Sequence, residues 1–477
     1  MKFEDYRSHD AVGLAKLVRD RDVSAEELLD AALARMAQVN PTLNALHLDL
    51  SVEARASIRS GLPDGPLAGV PYPIKDISVH MKGVPTGAGS RLFKDAVASE
   101  DSAIVTAYRQ AGLVLFAKSN TPEFGLATVT EPVANGPTLN PWNLGHTSGG
   151  SSGGAASAVA SGIVPAAHGS DGGGSIRTPA SCCGLFGLKV SRGRVSLAPS
   201  GEGWGGLSVQ HALTRSVRDS ALLLDIECKP QPGDPYWLDP PRTPFFEEVG
   251  KDPGKLRIAY TTSTLVWGQT EPAPAQAARH AAKLCESLGH YVEEAKPEVD
   301  FQAMAVDAST LVLSSTAATL EREAERRGAP IREDEVETLT WSIYQNGMKF
   351  TGPQMAIALQ NLHAFTRKLA AFFERYDVFV LPTVAKPPVP VGSIDTNAKD
   401  LSDYAERLYT FIPNTQPFNV GGQPAMSVPL YWADGLPIGV QFVSKMGAEA
   451  LLFRLAGQLE KAQPWFDRLP PELASRA

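Results

Sequence analysis

Two glycine-rich turns, GGSSGG at 149–154 and DGGGSIR at 171–177, decide the fold, and each presents a serine. The serines are Ser151 in the first turn and Ser175 in the second. Three consecutive glycines before Ser175 would let successive backbone N–H groups point into one concavity, which suits a developing oxyanion. A flexible linker would lack hydrophobic neighbours on both sides. Because segments rich in Ala, Val and Ile flank these turns, we interpret them as parts of a site.

The residues between the two turns predict two short buried elements. The small side chains of 155–162 are typical of a tightly packed helix, and 163–167 predicts a short buried strand. The predicted order is therefore turn, helix, strand and turn, with a candidate serine at the beginning and another at the end.

Lys75 is the candidate base for these serines. A serine hydroxyl becomes a nucleophile only when a base accepts its proton. His146 and His168 lie near in sequence, but neither has a carboxylate at a recognisable spacing, so we interpret both as ordinary polar or packed histidines. Lys75 follows the apolar run 66–74, which predicts a core strand, and burial disfavours the ammonium form of a lysine.

Other residues offer alternative chemistry. Lys118 also ends an apolar strand and is a rival base, although it could equally form a structural pair with Glu123. Cys182 and Cys183 are alternative nucleophiles, but a buried cysteine usually behaves as a small hydrophobe. The first turn also matches the nucleophile elbow of α/β-hydrolases; the polar residues before it do not predict the strand that this motif follows.

Together these motifs resemble the amidase signature family. The resemblance covers about residues 8–230 and 255–460, and within the family the pattern is similar to that of bacterial 6-aminohexanoate cyclic dimer hydrolases. It depends on an ordered set of segments rather than on any single one. Besides the two turns, these segments are GVPYPIKD at 69–76, KSNTPEFG at 118–125, NPWN at 140–143, CGLFGLK at 183–189 and FNVGGQPA at 418–425.

The resemblance implies an α/β fold, the amidase signature fold, as a single large domain over 1–477. A central mixed, twisted β-sheet would be flanked by helices, with the core motifs at 65–200. A variable, largely helical region at about 301–375 would cover the substrate. Apart from the resemblance, the segment Ser24-Ala-Glu-Glu27 predicts a capping box at the start of a helix. Pro41 is predicted to end that helix.

The resemblance also implies a catalytic triad of Ser175, Ser151 and Lys75. In that scheme Ser175 attacks the amide carbonyl, and neutral Lys75 accepts its proton through the Ser151 hydroxyl. A cis peptide bond would lie between Gly150 and Ser151. Water then cleaves the acyl-enzyme, and no metal or organic cofactor is required. The implied oxyanion hole consists of the backbone N–H groups of Gly172, Gly173 and Gly174.

Three residues are implied to bind substrate: Gly125, Leu126 and Thr316. In cyclic dimer hydrolases the position matching Leu126 is typically a polar amide residue, so Leu126 favours a more apolar pocket, unless it is simply part of the core. Thr316 falls near a position where those hydrolases present a cysteine to substrate, and ordinary helix packing is the alternative. The glycine-rich loop 201–206 is predicted to lie at the rim of the site.

Composition limits the partners. The 477-residue chain has a net charge of −8 and no basic run, which disfavours nucleic acid. We expect no signal peptide, because the charged residues 1–5 lead to no apolar core, and no membrane partner, because no apolar run approaches a membrane span. The four cysteines have no zinc-like spacing and favour a reducing, cytoplasmic setting. The expected partners are a small-molecule amide and a second copy of the chain in a homodimer.

The predicted function is that of a serine amidase, which hydrolyses the C–N bond of a small amide of the aryl acylamide, carbamate or oligoamide type. The alternative is the glutaminase subunit of a tRNA-dependent amidotransferase, which resembles this chain over the same motifs. Leu126 and the divergent 301–375 region disfavour that alternative. A binding or scaffold role is disfavoured because Lys75, Ser151 and Ser175 are all present.

Overall fold

A computed structural model describes residues 1–470 of the chain. The strands within these residues are β1 (Leu46–Asp49), β2 (Pro71–Lys75), β3 (Val114–Ser119), β4 (Leu139–Asn140), β5 (Asn143–Thr147), β6 (Ala166–Asp171), β7 (Phe186–Lys189), β8 (Val209–Thr214), β9 (Arg257–Tyr260), β10 (Tyr291–Glu294), β11 (Val378–Pro382), β12 (Ala425–Ala433) and β13 (Leu436–Ser444).

One large mixed sheet forms the centre of the molecule. Its eight strands have the order β10-β9-β11-β13-β12-β7-β8-β6. Strand β9 pairs in parallel with β10 and with β11, whereas the other neighbours pair antiparallel. The predicted α/β architecture with a central mixed sheet is therefore confirmed.

A second, three-stranded sheet carries the candidate base. Its order is β1-β3-β2, with β2 parallel to β3 and β1 antiparallel to β3. Lys75 is the last residue of β2, and every residue of this strand is buried. Strand β2 packs against β6 of the large sheet. This contact brings the lysine beside the strand that leads into the second glycine-rich turn.

Helices flank both sheets. They are α1 (Phe3–Arg7), α2 (Ala11–Asp20), α3 (Ala25–Leu43), α4 (Ser51–Ser60), α5 (Ala103–Gln110), α6 (Gly153–Ala160), α7 (Arg177–Cys183), α8 (Val217–Glu227), α9 (Phe245–Glu248), α10 (Pro272–Ser287), α11 (Phe301–Arg327), α12 (Thr338–Gly347), α13 (Gly352–Arg375), α14 (Leu401–Phe411), α15 (Pro417–Val420) and α16 (Glu449–Ala462).

Helix α6 connects the two glycine-rich turns, and all of its residues are buried. Its small side chains are required by close packing: a Cβ added at Gly154 would lie 2.4 Å from the backbone nitrogen of Asn120. The helix predicted over 155–162 is confirmed, beginning two residues earlier. The strand predicted over 163–167 is misplaced, since β6 begins only after Pro165, which cannot donate a ladder hydrogen bond.

The N-terminal helix α3 confirms one local prediction and contradicts another. The Ser24 hydroxyl accepts from the backbone of Glu27, and the Glu27 carboxylate accepts from the backbone of Ser24, as the capping box predicts. Pro41, however, does not end the helix, which continues to Leu43. The ring removes one helical hydrogen bond in the last turn, while the buried side chains of Val39 and Leu43 anchor that turn in the core.

The region 301–375 is largely helical, as predicted, and consists mainly of α11, α12 and α13. Helix α11 packs against the other two. Among residues 1–470 it is the one helix long and apolar enough, by length and composition, to cross a membrane. The prediction that no apolar run approaches this length is therefore wrong. The physical reason is that α11 uses its apolar residues to pack against neighbouring helices and to line the site described below.

Candidate active site

The Lys75 ammonium group lies at the centre of the site, fully buried. Its Nζ donates to Ser151 Oγ at 2.7 Å and to Ser170 Oγ at 2.9 Å. Burial lowers the pKa of Lys75 from 10.5 to about 7, against the opposing negative charge of Asp171. A lysine with this pKa is half neutral near pH 7 and can accept a proton there.

The first glycine-rich turn presents Ser151 to this lysine. The peptide bond between Gly150 and Ser151 is cis, as the resemblance implied. A Cβ added at Gly150 would lie 2.8 Å from the backbone of Thr128 and Val129, so no side chain fits there. Because the turn is packed this closely, the position of the Ser151 hydroxyl is fixed by the surrounding backbone.

The second glycine-rich turn is held in place by a buried carboxylate. Asp171 accepts from the backbone nitrogen of Gly174 at 2.8 Å and pairs with Arg177, whose Nη2 lies 2.8 Å from Asp171 Oδ1. Burial alone would raise the pKa of Asp171, but the charge and hydrogen bonds of Arg177, with the charge of Lys189 and a hydrogen bond from Asn419, together outweigh burial and hold that pKa well below its usual range. Thr415 Oγ1 donates to the carbonyl of Gly173 at 2.6 Å. The turn therefore has a rigid backbone.

Ser175 is half-buried, in a cavity of about 300 Å³ that also exposes the predicted oxyanion residues Gly172, Gly173 and Gly174. The remaining walls are mainly apolar and come from several separate segments. Helices α11, α12 and α14 each contribute several residues, and loops contribute Trp204 and Trp267. A small amide with an apolar body therefore fits the cavity by size and polarity.

Gly125 and Leu126 both line this cavity. Gly125 has a φ of +67°, and a Cβ added there would lie 3.2 Å from Ser151 Oγ. Leu126 lines the cavity and also packs, partly buried, against the main core, so both interpretations of this residue hold. Thr316 does not line the Ser175 cavity; its Oγ1 donates to the carbonyl of Val312 in α11, and the residue faces a second, neighbouring cavity.

The rival residues have other contacts. Lys118 is fully buried, but its Nζ lies 3.6 Å from Asp76 Oδ1, and Glu123 instead accepts from Ser90 Oγ at 2.6 Å. The predicted Lys118–Glu123 pair is therefore wrong, because the lysine turns toward the nearer carboxylate. His168 is buried behind the lysine strand, where burial and the charge of nearby lysines hold its pKa well below its usual range.

The adjacent cysteines are packed rather than reactive. Cys182 and Cys183 are both fully buried in α7 and carry free thiols. Burial raises the pKa of each thiol well above its ordinary value, so the thiolate is disfavoured. Within residues 1–470, no group of three or more His, Cys, Asp or Glu side chains is arranged to hold a metal ion.

Sequence reasoning missed two parts of the cavity. One is Trp204, which projects from the loop 201–206 that was predicted to lie at the rim. The other is α14, whose Tyr404 lines the cavity and donates to the carbonyl of Leu126 at 3.4 Å. A lone aromatic among glycines and the helical spacing of apolar residues over 401–411 are signals that could have indicated both.

Comparison with known proteins agrees with this geometry. The chain matches the family model described as Amidase over residues 27–453. It is 39% identical to the 6-aminohexanoate-cyclic-dimer hydrolase of Paenarthrobacter ureafaciens, over 97% of this chain and 96% of that protein. A solved structure of 6-aminohexanoate cyclic dimer hydrolase matches with a TM-score of 0.91 at 38% identity, covering 98% of this chain and 99% of that chain.

Two further solved structures bear on the alternatives. A bacterial aryl acylamidase of the amidase signature family matches with a TM-score of 0.87 at 26% identity, covering 96% of each chain. The glutamyl-tRNA(Gln) amidotransferase chain of Thermotoga maritima is more distant, with a TM-score of 0.72 at 26% identity and 96% of each chain covered. Sequence and fold together establish that this chain belongs to the amidase signature family of amide hydrolases.

Proposed function

We propose that the protein hydrolyses small amides with an apolar body, of the aryl acylamide, carbamate or oligoamide type, through an acyl-enzyme on Ser175. The observation that carries the proposal is the 2.7 Å contact between Lys75 Nζ and Ser151 Oγ, next to the cavity that contains Ser175. A buried amine with a pKa of about 7 is well suited to general base catalysis at neutral pH.

The proposed first step is attack of Ser175 Oγ on the amide carbonyl. Its proton passes to Ser151 Oγ while the Ser151 proton passes to neutral Lys75. The backbone N–H groups of Gly172 and Gly173 stabilise the tetrahedral oxyanion, and each such donor contributes on the order of 3 kcal/mol to the transition state. The N–H of Gly174, which was predicted to join them, donates to Asp171 instead. The 2.8 Å hydrogen bond from Gly174 to Asp171 keeps this turn from rearranging as charge develops.

The same relay then runs in reverse. Lys75 returns a proton through Ser151 to the nitrogen of the departing amine, and the C–N bond breaks to leave an ester on Ser175. Water attacks this ester as Ser151 and Lys75 accept its proton. The relay then returns that proton to Ser175 Oγ as the bond to the acyl group breaks, which releases the acid and leaves Lys75 neutral. The chain's own residues supply every proton transfer in this scheme.

The proposed substrate class follows from the cavity walls. The side chain of Leu126 has no hydrogen-bonding group, whereas cyclic dimer hydrolases typically have a polar amide residue at the matching position. The apolar residues of α11, α12 and α14 complete a cavity that favours amides with an aryl or alkyl body. We therefore place aryl acylamides first, with carbamates and oligoamides as further members of the class. A cytoplasmic location and a homodimeric assembly, with no nucleic acid or membrane partner, are additional predictions.

The test is a comparison of three substrates with the purified protein. We expect release of 4-nitroaniline from 4-nitroacetanilide to exceed both ammonia release from glutamine and cleavage of a linear 6-aminohexanoate oligomer. The Ser175→Ala variant should have no activity, whereas Ser60→Ala, at an exposed position on α4, should match the natural chain. Turnover of glutamine alone would contradict the proposal and favour the amidotransferase class.

A further inference from the structure

A second cavity of about 290 Å³ adjoins the Ser175 cavity. Trp204 lines both, so its side chain forms the partition between them. The residue has a φ of +56° between Gly203 and Gly205, and a Cβ added at Gly172 would lie 2.7 Å from its ring. The indole therefore packs directly on the oxyanion turn, with one cavity on each side of it.

The second cavity lies on the lysine side of the site. Gln210 lines it and pairs with Ser170 in the antiparallel register of β6 and β8. Directly opposed residues on neighbouring strands project from the same face of a sheet, and Ser170 Oγ contacts Lys75 Nζ. Gln210 therefore projects from the face of the large sheet that Lys75 contacts.

Ile77 connects the second cavity to the relay serine. This residue lines the cavity two positions after Lys75. A Cβ added at Gly125 would contact both Ile77 Cδ1, at 3.3 Å, and Ser151 Oγ, at 3.2 Å. In the proposed mechanism Ser151 delivers the proton to the departing amine. Because Ile77 lines the second cavity, that cavity lies on the Ser151 side of the site, the side from which the departing amine receives its proton.

The polar groups of the second cavity favour a ligand that donates hydrogen bonds. Gln210 is 3% exposed and its side chain reaches His168, but its Oε1 accepts no well-formed hydrogen bond from the described residues, so this buried acceptor retains capacity for a donor on a ligand. Glu202 adds a carboxylate, and no lysine or arginine is among the described residues that line the cavity. Burial and the charge of nearby Lys118 lower the pKa of His80, which disfavours its charged form.

The apolar part of the second cavity suits an amine with a hydrocarbon body. Phe93 and Phe124 meet edge to face, with ring centroids 5.5 Å apart, and both line the cavity with Trp204. Aromatic faces also attract cations. Thr316 lines the same cavity, so the residue that was predicted to bind substrate would contact the amine portion of the substrate rather than the acyl portion.

We propose that this second cavity is the amine subsite, and that Gln210 and Glu202 select departing amines that carry an ammonium group over those that carry a carboxylate. The inference rests on the proposed function, because it assigns the two cavities to the two halves of one amide. It also predicts slow hydrolysis of linear 6-aminohexanoate oligomers, because their departing amine carries a carboxylate.

The experiment uses three substrates with one acyl group. Hexanoic acid is coupled to 1,6-diaminohexane through one nitrogen, to hexylamine, or to 6-aminohexanoate, so the three departing amines carry an ammonium, a methyl or a carboxylate end. All three form the same acyl-enzyme, so differences in kcat/KM arise before deacylation. We expect the ammonium substrate to exceed the carboxylate substrate by at least tenfold.

Variants make the assignment specific. Glu202→Gln should reduce that ratio at least threefold, and Gln210→Leu should lower kcat/KM for the ammonium substrate more than for the hexylamine substrate. Glu247→Gln, at an exposed position on α9, is the matched control and should keep the natural ratio. Equal kcat/KM for the three substrates, or a Glu202→Gln ratio equal to that of the control, would overturn the amine subsite while leaving the proposed hydrolysis intact. Failure to cleave any of the three would instead contradict the proposed function.

Discussion

A sensitive test of the relay geometry is Gly125→Ala. Gly125 has a φ of +67°, and its added Cβ would lie 3.2 Å from Ser151 Oγ. The left-handed conformation costs about 1–2 kcal/mol of stability for a residue with a Cβ. The serine must also move by a few tenths of an ångström, which disturbs its 2.7 Å contact with Lys75. Because small displacements of a catalytic group are expensive, we expect kcat/KM to fall about 10- to 100-fold.

Gly83→Ala separates the two effects. Gly83 has a φ of +80°, is exposed, and has no atom within 4 Å of an added Cβ. Urea unfolding should therefore show the backbone cost in both variants, with a further loss in Gly125→Ala from its close contacts, whereas amide hydrolysis at saturating and subsaturating substrate should be impaired only in Gly125→Ala. Equal activity of the two variants would refute the placement of Ser151 in the proton relay.

Three further outcomes are expected. The kcat/KM for amide hydrolysis should rise with pH through about 7, since Lys75 accepts a proton only when it is neutral; a flat profile with chemistry rate-limiting would contradict a lysine base. Asp171→Asn should lower the free energy of unfolding by about 3–5 kcal/mol, because it leaves the buried Arg177 without its charge partner; a loss below about 1 kcal/mol in urea unfolding would contradict this. Iodoacetamide should leave the native activity unchanged, since Cys182 and Cys183 are buried thiols; inactivation with label on either one would show that they are accessible.

The glycine-rich turns were predictable from sequence because their constraints are local. Runs of glycine with a serine identify backbone that approaches other groups closely, and the resemblance placed the cis bond at Gly150–Ser151. The apolar run before Lys75 was enough to predict a buried lysine. Local patterns did not predict that its strand belongs to a separate small sheet, since sheet membership depends on pairing between distant segments.

The incorrect predictions involve competition between local and distant contacts. A proline usually disfavours a helix, but Pro41 lies in the last turn of α3 and removes only one hydrogen bond there. Lys118 is predicted to pair with Glu123, which is close to it in sequence, whereas the fold brings Asp76 nearer to the ammonium group of Lys118. The Trp204 partition was not predictable, because it requires a loop to fold back onto the oxyanion turn at Gly172.

The most direct test of the central claim is to identify the acylated residue. The protein is mixed with a reactive aryl amide, quenched in acid within the turnover time, digested, and analysed by mass spectrometry. We predict one added acyl group on Ser175, and none in Ser175→Ala or in Lys75→Ala. An acyl group on Ser151 or on a cysteine, or turnover by Ser175→Ala, would contradict the proposed mechanism.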